Sequence, residues 1–396
     1  MTLPEYKTTA GNRLNLPGVS SCDERFCVQN TNEEECLAYA QALLSSGFEL
    51  YDKNEMPAGD NYIKRMNIAF SFKGEENCVF VFWDASQHTV FVVKTAPVSL
   101  PALKNADTSS GKCGKCTLSQ IALAAGGMSY VVKLADGAFL VIDGGKTCDG
   151  DAENLYKFLK ANVDDGNKPR IAMWFFTHAH SDHIGLATRF LKKYNDDVEI
   201  LAVAHQFPDF DKVSLPYEPQ EEKETMLELC RIIRESFPES SVYYMHTGQR
   251  YSFCGTVLEV LSSMDNTYPS LYYSLNDTSV ITRLTFDSGS SVLLLADSTH
   301  VLSRQLFHTY GAYLKSDFMQ MAHHGFIGGD IDLYKTVDPD VCLWPVKPEC
   351  FNGTLLGQKY QWCLGEGGLE YNAWIRDSAV KPRLHYDHSE TVSFEI

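Results

Sequence analysis

The chain is 396 residues long, 44% hydrophobic and 21% charged, with a formal net charge of −17. Such a length suits two domains, or one large domain with an extension, and the composition is that of an ordinary globular core. Without a run of about 18 apolar residues a membrane-spanning helix is excluded, and the acidic balance argues against a surface that grips extended nucleic acid through clustered Lys and Arg. A small anionic substrate stays allowed, because bound divalent ions reverse the local field. The N-terminus MTLPEYKTTAGNRLNLPG lacks a basic start followed by an apolar stretch, so no secretory leader is expected. Twelve scattered cysteines read as reduced thiols and a cytoplasmic location.

Residues 1–100 read as a small α+β unit. EEECLAYAQALLSS, Glu33 to Ser46, has apolar residues at helical spacing and stops before Gly47. MNIAFSF and CVFVFWDASQHTVFVVKT follow as strands, with turns at KGEEN and near Ala85 to Gln87, and His88 falls at a hairpin tip. The polar, aperiodic stretch PALKNADTSSGKCGKC, residues 101–116, reads as a linker. Its single Cys113-x-x-Cys116 pair is a weak zinc signal.

From residue 117 to 396 strands and helices alternate. LSQIALAA, MSYVVKLADG and AFLVIDGG read as strands separated by glycine turns, and DAENLYKFLKAN as a helix with an acidic first turn. RIAMWFFT is apolar throughout, as a strand covered on both faces is. IGLATRFLKKY is the next helix and VEILAVAH the next strand; TVLEVLSS, TSVITRLTF and SVLLLADS are later strands. A helix near Val301 to Tyr313 and the strand-like DFMQMAHHG complete the order. Strands, then mixed βα units, then strands again predict an α/β fold of two sheets with helices outside, an αββα sandwich.

Immediately behind RIAMWFFT comes His178-Ala-His180-Ser-Asp182-His183. Loops at the carboxyl ends of such strands are where ligand sites collect. Spacing of two puts His178 and His180 on one side, while Asp182 and His183 turn toward a neighbouring point. Neutral imidazoles and a carboxylate suit zinc, and two such clusters suit two ions. A chance cluster of capping and surface residues does not explain three histidines and an aspartate within six residues.

HAHSDH resembles the HxHxDH signature of the metallo-β-lactamase superfamily. FLVIDGG, ending in Asp143, SVLLLADS, ending near Asp297, and MAHHG, with His323 and His324, resemble its other motifs, over about Ser119 to Pro345. NDTSVITRLTF through MAHHG is most similar to the branch typified by the hydrolase domain of bacterial DNA-uptake channel proteins. The resemblance implies an αββα hydrolase with two zinc ions, manganese or iron being alternatives. His178 and His180 would hold the first ion, and Asp182, His183 and His323 the second. Asp297 would bridge, and Asp143 would orient the loop from behind. Asp182 and His324 would act in catalysis, His324 as a substrate-facing acid or hydrogen-bond donor; the pairing of His323 with His324 leaves their roles exchangeable.

Two departures stand out. The further histidine that completes the first site in most relatives is absent near Asp265 to Asp277: His205 comes too early and His246 precedes the expected strand, leaving Asp265, Asn276, Asp277 or water. Phe326 stands where relatives often carry serine. His300, His308, His385 and His388 read as surface or structural, and Tyr272, Tyr273, Tyr360 and Tyr371 as candidate pocket walls. No G-x-S-x-G elbow occurs. The implied reaction is metal-activated hydrolysis of a phosphodiester. The alternatives are a lactone, thioester or amide hydrolase, an iron-dependent oxidoreductase, and a degenerate binding module. The expected partner is a small-molecule or short anionic substrate with no membrane, and a homodimer is compatible with the sequence.

Overall fold

The structure is a computed structural model that describes residues 1–17, 22–59, 65–96, 100–102, 114–163, 167–268, 272–326, 328–351, 374–376 and 381–396. Most of the expected linker, with Cys113, and both Tyr360 and Tyr371 lie outside the described residues.

The N-terminal region forms an antiparallel sheet of β1 (Asn12–Asn15), β2 (Cys22–Gln29), β3 (Glu49–Pro57), β4 (Met66–Lys73), β5 (Cys78–Asp84) and β6 (Thr89–Thr95), in the order β1-β2-β6-β5-β4-β3. Helix α1 (Glu33–Ser45) starts where the Asn32 side chain accepts from the Glu35 N–H and three glutamates meet the positive helix end. It covers one face of this sheet through Cys36, Tyr39 and Leu43, packed with Phe26, Phe72 and Val92. Sequence reading finds α1 and the central strands but not β1 or β3. All four residues of β1 are exposed and β3 is mostly polar, so neither carries an apolar alternation.

The second sheet holds β7 (Thr117–Gln120), β8 (Tyr130–Lys133), β9 (Phe139–Ile142), β10 (Arg170–Phe175), β11 (Glu199–Ile200), β12 (Val203–His205) and β13 (Val242–Tyr244). The third holds β14 (Arg250–Phe253), β15 (Thr256–Ser262), β16 (Ile281–Phe286), β17 (Ser291–Leu294), β18 (Phe318–Gln320), β19 (Val341–Leu343) and β20 (Leu384–Tyr386); β21 (Val392–Glu395) returns to pair with β7. β9, β10, β12 and β13 run parallel, as do β17, β18, β19 and β20. Leu140, Met173 and Phe175 of the second sheet pack against Leu258, Leu284 and Leu294 of the third. Helices α2 (Asp149–Ala161), α3 (Ser181–Tyr194) and α4 (Gln220–Ser236) cover the outer face of the second sheet through Leu155, Leu186, Phe190 and Leu229. Helices α5 (His300–Tyr310) and α6 (Ile331–Val337) cover the third through Leu306, Tyr310 and Leu333. The two sheets and their outer helices form an α/β, αββα sandwich. α4 is half charged and buries only Met226, Leu229, Ile232 and Ile233, which hides its helical period from a reader of the sequence.

The free face of the N-terminal sheet joins the same core: Cys27, Met56, Ala69, Phe82 and Phe91 lie in one apolar cluster with Leu261, Leu293 and Leu306. Polar ties reinforce it. Buried Arg25 donates to the carbonyls of Met264, Asp265 and Thr267, and Thr309 Oγ1 donates to buried Asp84 at 2.8 Å. No described helix is long and apolar enough to cross a membrane.

Candidate metal centre

The parallel strands of both sheets end at one rim, and the chemistry-bearing residues follow those ends. Asp143 is the residue after β9, His178 and His180 lie between β10 and α3, Asp182 and His183 open α3, Asp297 follows β17, and His323 with His324 follow β18. Seven described non-glycine residues have positive φ, and four of them are at this rim: Asp143 (55°), Ala296 (50°), His323 (48°) and His324 (56°). Left-handed backbone in such residues is costly and persists where surrounding packing over-determines it, as at functional sites. Gly127 (φ +100°) serves the same rim, since a Cβ there would lie 2.1 Å from the Asp182 carbonyl oxygen.

Two groups of ligand-type atoms result, each within 4.8 Å: His178, His180 and Asp297, and then Asp182, His183 and His324. In the first, His178 Nε2 lies 3.1 Å from His180 Nδ1 and 3.9 Å from Asp297 Oδ2. In the second, His183 Nε2 lies 3.3 Å from His324 Nε2, which is 3.4 Å from Asp182 Oδ2. Asp297 spans the groups: Oδ2 is 3.9 Å from His178 Nε2 of the first, and Oδ1 is 3.1 Å from His183 Nε2 and Oδ2 3.4 Å from His324 Nε2 of the second.

Each ring is held by its other nitrogen. His183 Nδ1 meets Asp143 Oδ2 at 2.7 Å, His180 Nε2 meets Glu218 Oε1 at 3.0 Å, His324 Nδ1 donates to the Pro345 carbonyl at 2.8 Å, and His178 Nδ1 meets Thr177 Oγ1 at 3.1 Å. Asp143 is itself fixed, accepting from Thr177 N (2.8 Å) and Thr177 Oγ1 (2.7 Å), and Glu218 Oε2 accepts from Leu275 N (2.7 Å). With the outer nitrogens so engaged, four inner ones converge in facing pairs. This donor set fits metal ions. Two nitrogens at tetrahedral corners, each about 2.05 Å from one zinc, stand about 3.3 Å apart, and the observed pairs are at 3.1 and 3.3 Å. Asp297 Oδ1 is buried and completes no hydrogen bond, which a buried carboxylate oxygen tolerates poorly unless a cation faces it.

The electrostatics agree. Burial opposes charge on His324, yet Asp297 and Asp182 raise it to about 10. Burial likewise opposes charge on His183, and Asp297 and Asp143 carry it well above the usual value. Burial and the neighbouring His183 push His178 well down. Burial works against ionisation of Asp297, but His324, His183 and His323 hold it well below the usual carboxylate range.

The pair after β18 is arranged otherwise than the expectation from sequence. His324, 4% exposed, stands in the second group, while His323 lies outside both, its Nε2 3.6 Å from Asp297 Oδ2 and 3.4 Å from Asn276 Nδ2. Consecutive left-handed residues send the two rings apart, a turn that spacing does not announce. Of the candidates for the absent histidine, Asp265 is engaged by His246 Nδ1 (2.8 Å) and Gln206 Nε2 (2.8 Å), and Asp277 by the Tyr273 N–H (2.8 Å) and Thr299 Oγ1 (3.0 Å). Glu218 was not anticipated: it comes from a loop with no pattern of its own, 38 residues after His180. Tyr272 is buried and donates to the Met264 and Thr267 carbonyls, whereas Tyr273 is 53% exposed. His388, buried with neither ring nitrogen bonded, is no surface residue.

Residues 124–230 match the family model described as the metallo-beta-lactamase superfamily. Among solved structures, the chain is similar to CmlA, a diiron beta-hydroxylase from Streptomyces venezuelae, at 14% identity over 71% of this chain and 54% of that one, TM-score 0.43. It is also similar to a long form RNase Z from yeast, at 11% identity over 58% of this chain and 36% of that one, TM-score 0.34. A beta-lactamase domain protein from Burkholderia ambifaria aligns at 12% identity over 50% and 58%, TM-score 0.29. The chain thus spans about half the length of the CmlA chain. No curated protein matches it.

Proposed function

We propose that the protein is a metal-dependent hydrolase with a two-ion centre that cleaves a phosphodiester in a small or single-stranded anionic substrate. The observation that carries this reading is the set of four inward imidazole nitrogens in facing pairs, every outer nitrogen tied to an oxygen. His178, His180 and Asp297 would hold the first ion, and Asp182, His183 and His324 the second, with Asp297 between them. Zinc fits the donors best, with manganese or iron as the ions to distinguish. Bound ions supply a hydroxide near neutral pH by lowering the pKa of coordinated water from 15.7 to about 7.

The chain's own residues do the rest. Asp143 and Glu218 orient His183 and His180 and fix which nitrogen carries the proton, as such carboxylates do. The first ion would have three protein ligands and so keep a place for water or substrate, the arrangement of catalytic rather than structural sites, while the bridging Asp297 would be a fourth ligand to the second. We assign His323, with a quarter of its side chain exposed and Nε2 3.6 Å from Asp297 Oδ2, the role of donating a hydrogen bond or proton to substrate. The exchange of His323 and His324 relative to the sequence expectation belongs to this proposal. The phosphodiester itself is supported by the resemblance of the motifs from Asn276 to Gly325.

The test is hydrolysis of bis(p-nitrophenyl) phosphate, a lactone and a thioester by protein loaded with Zn²⁺ or Mn²⁺, beside His180→Ala and Asp297→Ala. Turnover of the diester that both substitutions abolish is the expected result. Turnover of the lactone or thioester alone reassigns the substrate, and equal inertness of all three proteins overturns the hydrolase. Elemental assay of protein purified without added metal distinguishes the ions, and iron with little zinc points to redox chemistry instead.

A further inference from the structure

A cavity of about 840 Å³ opens between the N-terminal sheet and helix α5, outside the metal centre. Its size falls within the range of small-molecule sites, roughly 300–1,000 Å³. One wall is Arg65, at the start of β4, with the β5–β6 turn. The other is α5, presenting Val301, Arg304, Phe307 and His308, and Tyr268 closes one end. In a chain with 51 acidic and 34 basic residues, none of the described lining side chains is acidic, while two are arginines and two histidines.

The walls are fixed before any ligand arrives. Gly59 N and Asn67 Nδ2 both donate to the Thr309 carbonyl, at 3.0 and 2.8 Å, tying the sheet to the end of α5. Gln29 Nε2 donates to the Tyr268 hydroxyl at 3.1 Å, and the Phe91 ring packs against Tyr268 with centroids 5.7 Å apart. Arg304 is held from beneath: Nε lies 3.5 Å from Asp330 Oδ2, a carboxylate with 5% of its side chain exposed, while 61% of the Arg304 side chain stays open. The Arg304 side chain is one of those lining the cavity, and no hydrogen-bonding or charged partner among the described residues engages the Arg65 guanidinium. Paired guanidinium forks match phosphate oxygens better than any other side chain. Tyr268, Phe307 and Val301 add an apolar, partly aromatic surface suited to a planar ring.

We propose that this cleft binds a phosphate monoester carried on a planar ring, with the phosphate between Arg65 and Arg304 and the ring against Tyr268 and Phe307. The N-terminal sheet thereby acquires a role, since it contributes one of the two phosphate-binding arginines. The proposal does not depend on metal at the rim.

Isothermal titration of chelator-treated protein with AMP, CMP and phenyl phosphate tests it, with adenosine and inorganic phosphate as the separated halves. At least one intact monoester should bind more tightly than either half. Arg65→Ala and Arg304→Ala should each weaken it by roughly ten-fold or more with little change in melting temperature, because Arg304 is exposed and Arg65 only half-buried. Asp297→Asn should leave that affinity as it was. Absence of binding by all three monoesters at millimolar concentration overturns the proposal. So does unchanged affinity in the double arginine variant, and loss of affinity in Asp297→Asn would assign the binding to the rim instead.

Discussion

Asp143→Asn isolates what the outer carboxylate does for the metal centre. The substitution keeps the volume of a fully buried side chain and keeps Oδ1 as acceptor for Thr177 N at 2.8 Å. It places an NH₂ where Oδ2 had accepted from Thr177 Oγ1 and His183 Nδ1, both at 2.7 Å. The Thr177 hydroxyl loses its acceptor and can turn only toward His178 Nδ1, 3.1 Å away, which has to keep its own proton if Nε2 is to bind an ion. His183 is driven the same way: its Nδ1 must accept from the amide, which moves the ring proton to Nε2, the nitrogen 3.1 Å from Asp297 Oδ1 and aimed at the second ion. Loss of such a carboxylate partner weakens metal affinity by roughly 10- to 100-fold, or about 1.4–2.7 kcal/mol. The metal-free fold keeps a hydrogen bond at each position and should melt close to wild type. Competition titration of Zn²⁺ against a chromophoric chelator reads both ions, and the loss should fall on the equivalent that His183 holds and, through Thr177, on the one that His178 holds. Affinity within two-fold of wild type for both equivalents, in a folded variant, would refute the reasoning.

His324→Ala should remove one metal equivalent and reduce diester turnover by more than about 100-fold, since it deletes a ligand, whereas His323→Ala should retain both equivalents and lose activity alone; elemental analysis showing the reverse would restore the assignment read from sequence. Burial pushes His205 down to about 4, against about 6.5 in an unfolded chain. Between those values the unfolded state takes up a proton that the folded state refuses. The stability this residue contributes is therefore complete above about pH 6.5 and lost as pH falls toward 4, by about 3 kcal/mol in all. His205→Asn should flatten that acid limb in urea titrations at pH 7 and 4.5, and an unchanged pH dependence would count against it. Arg25→Met keeps the apolar stem but strips the donor from the Met264, Asp265 and Thr267 carbonyls, at a cost of roughly 3 kcal/mol. A urea midpoint unmoved from wild type would show that the tie between the N-terminal sheet and this turn is dispensable.

What the sequence could show depended on how locally each feature is encoded. RIAMWFFT, FLVIDGG and SVLLLADS are legible because a strand buried on both faces must be apolar at every position, whatever it packs on. His178 to His183 is legible because the whole cluster spans one loop and one helical turn. The strands β1 and β3 and helix α4 are not, since their residues answer to partners distant in sequence and carry little period of their own.

The same distinction divides the site. Composition and local pattern alone determined the layered α/β architecture, the rim at which the histidines collect, and the residue types there. Only the folded chain decided which member of the pair at 323 and 324 enters the cluster, because that turns on two left-handed φ angles. It also decided that Glu218 holds His180, and that Arg65, just before β4, and Arg304 of α5 line the same cavity. These are contacts between segments tens to hundreds of residues apart, and no spacing along the chain encodes where two such segments meet.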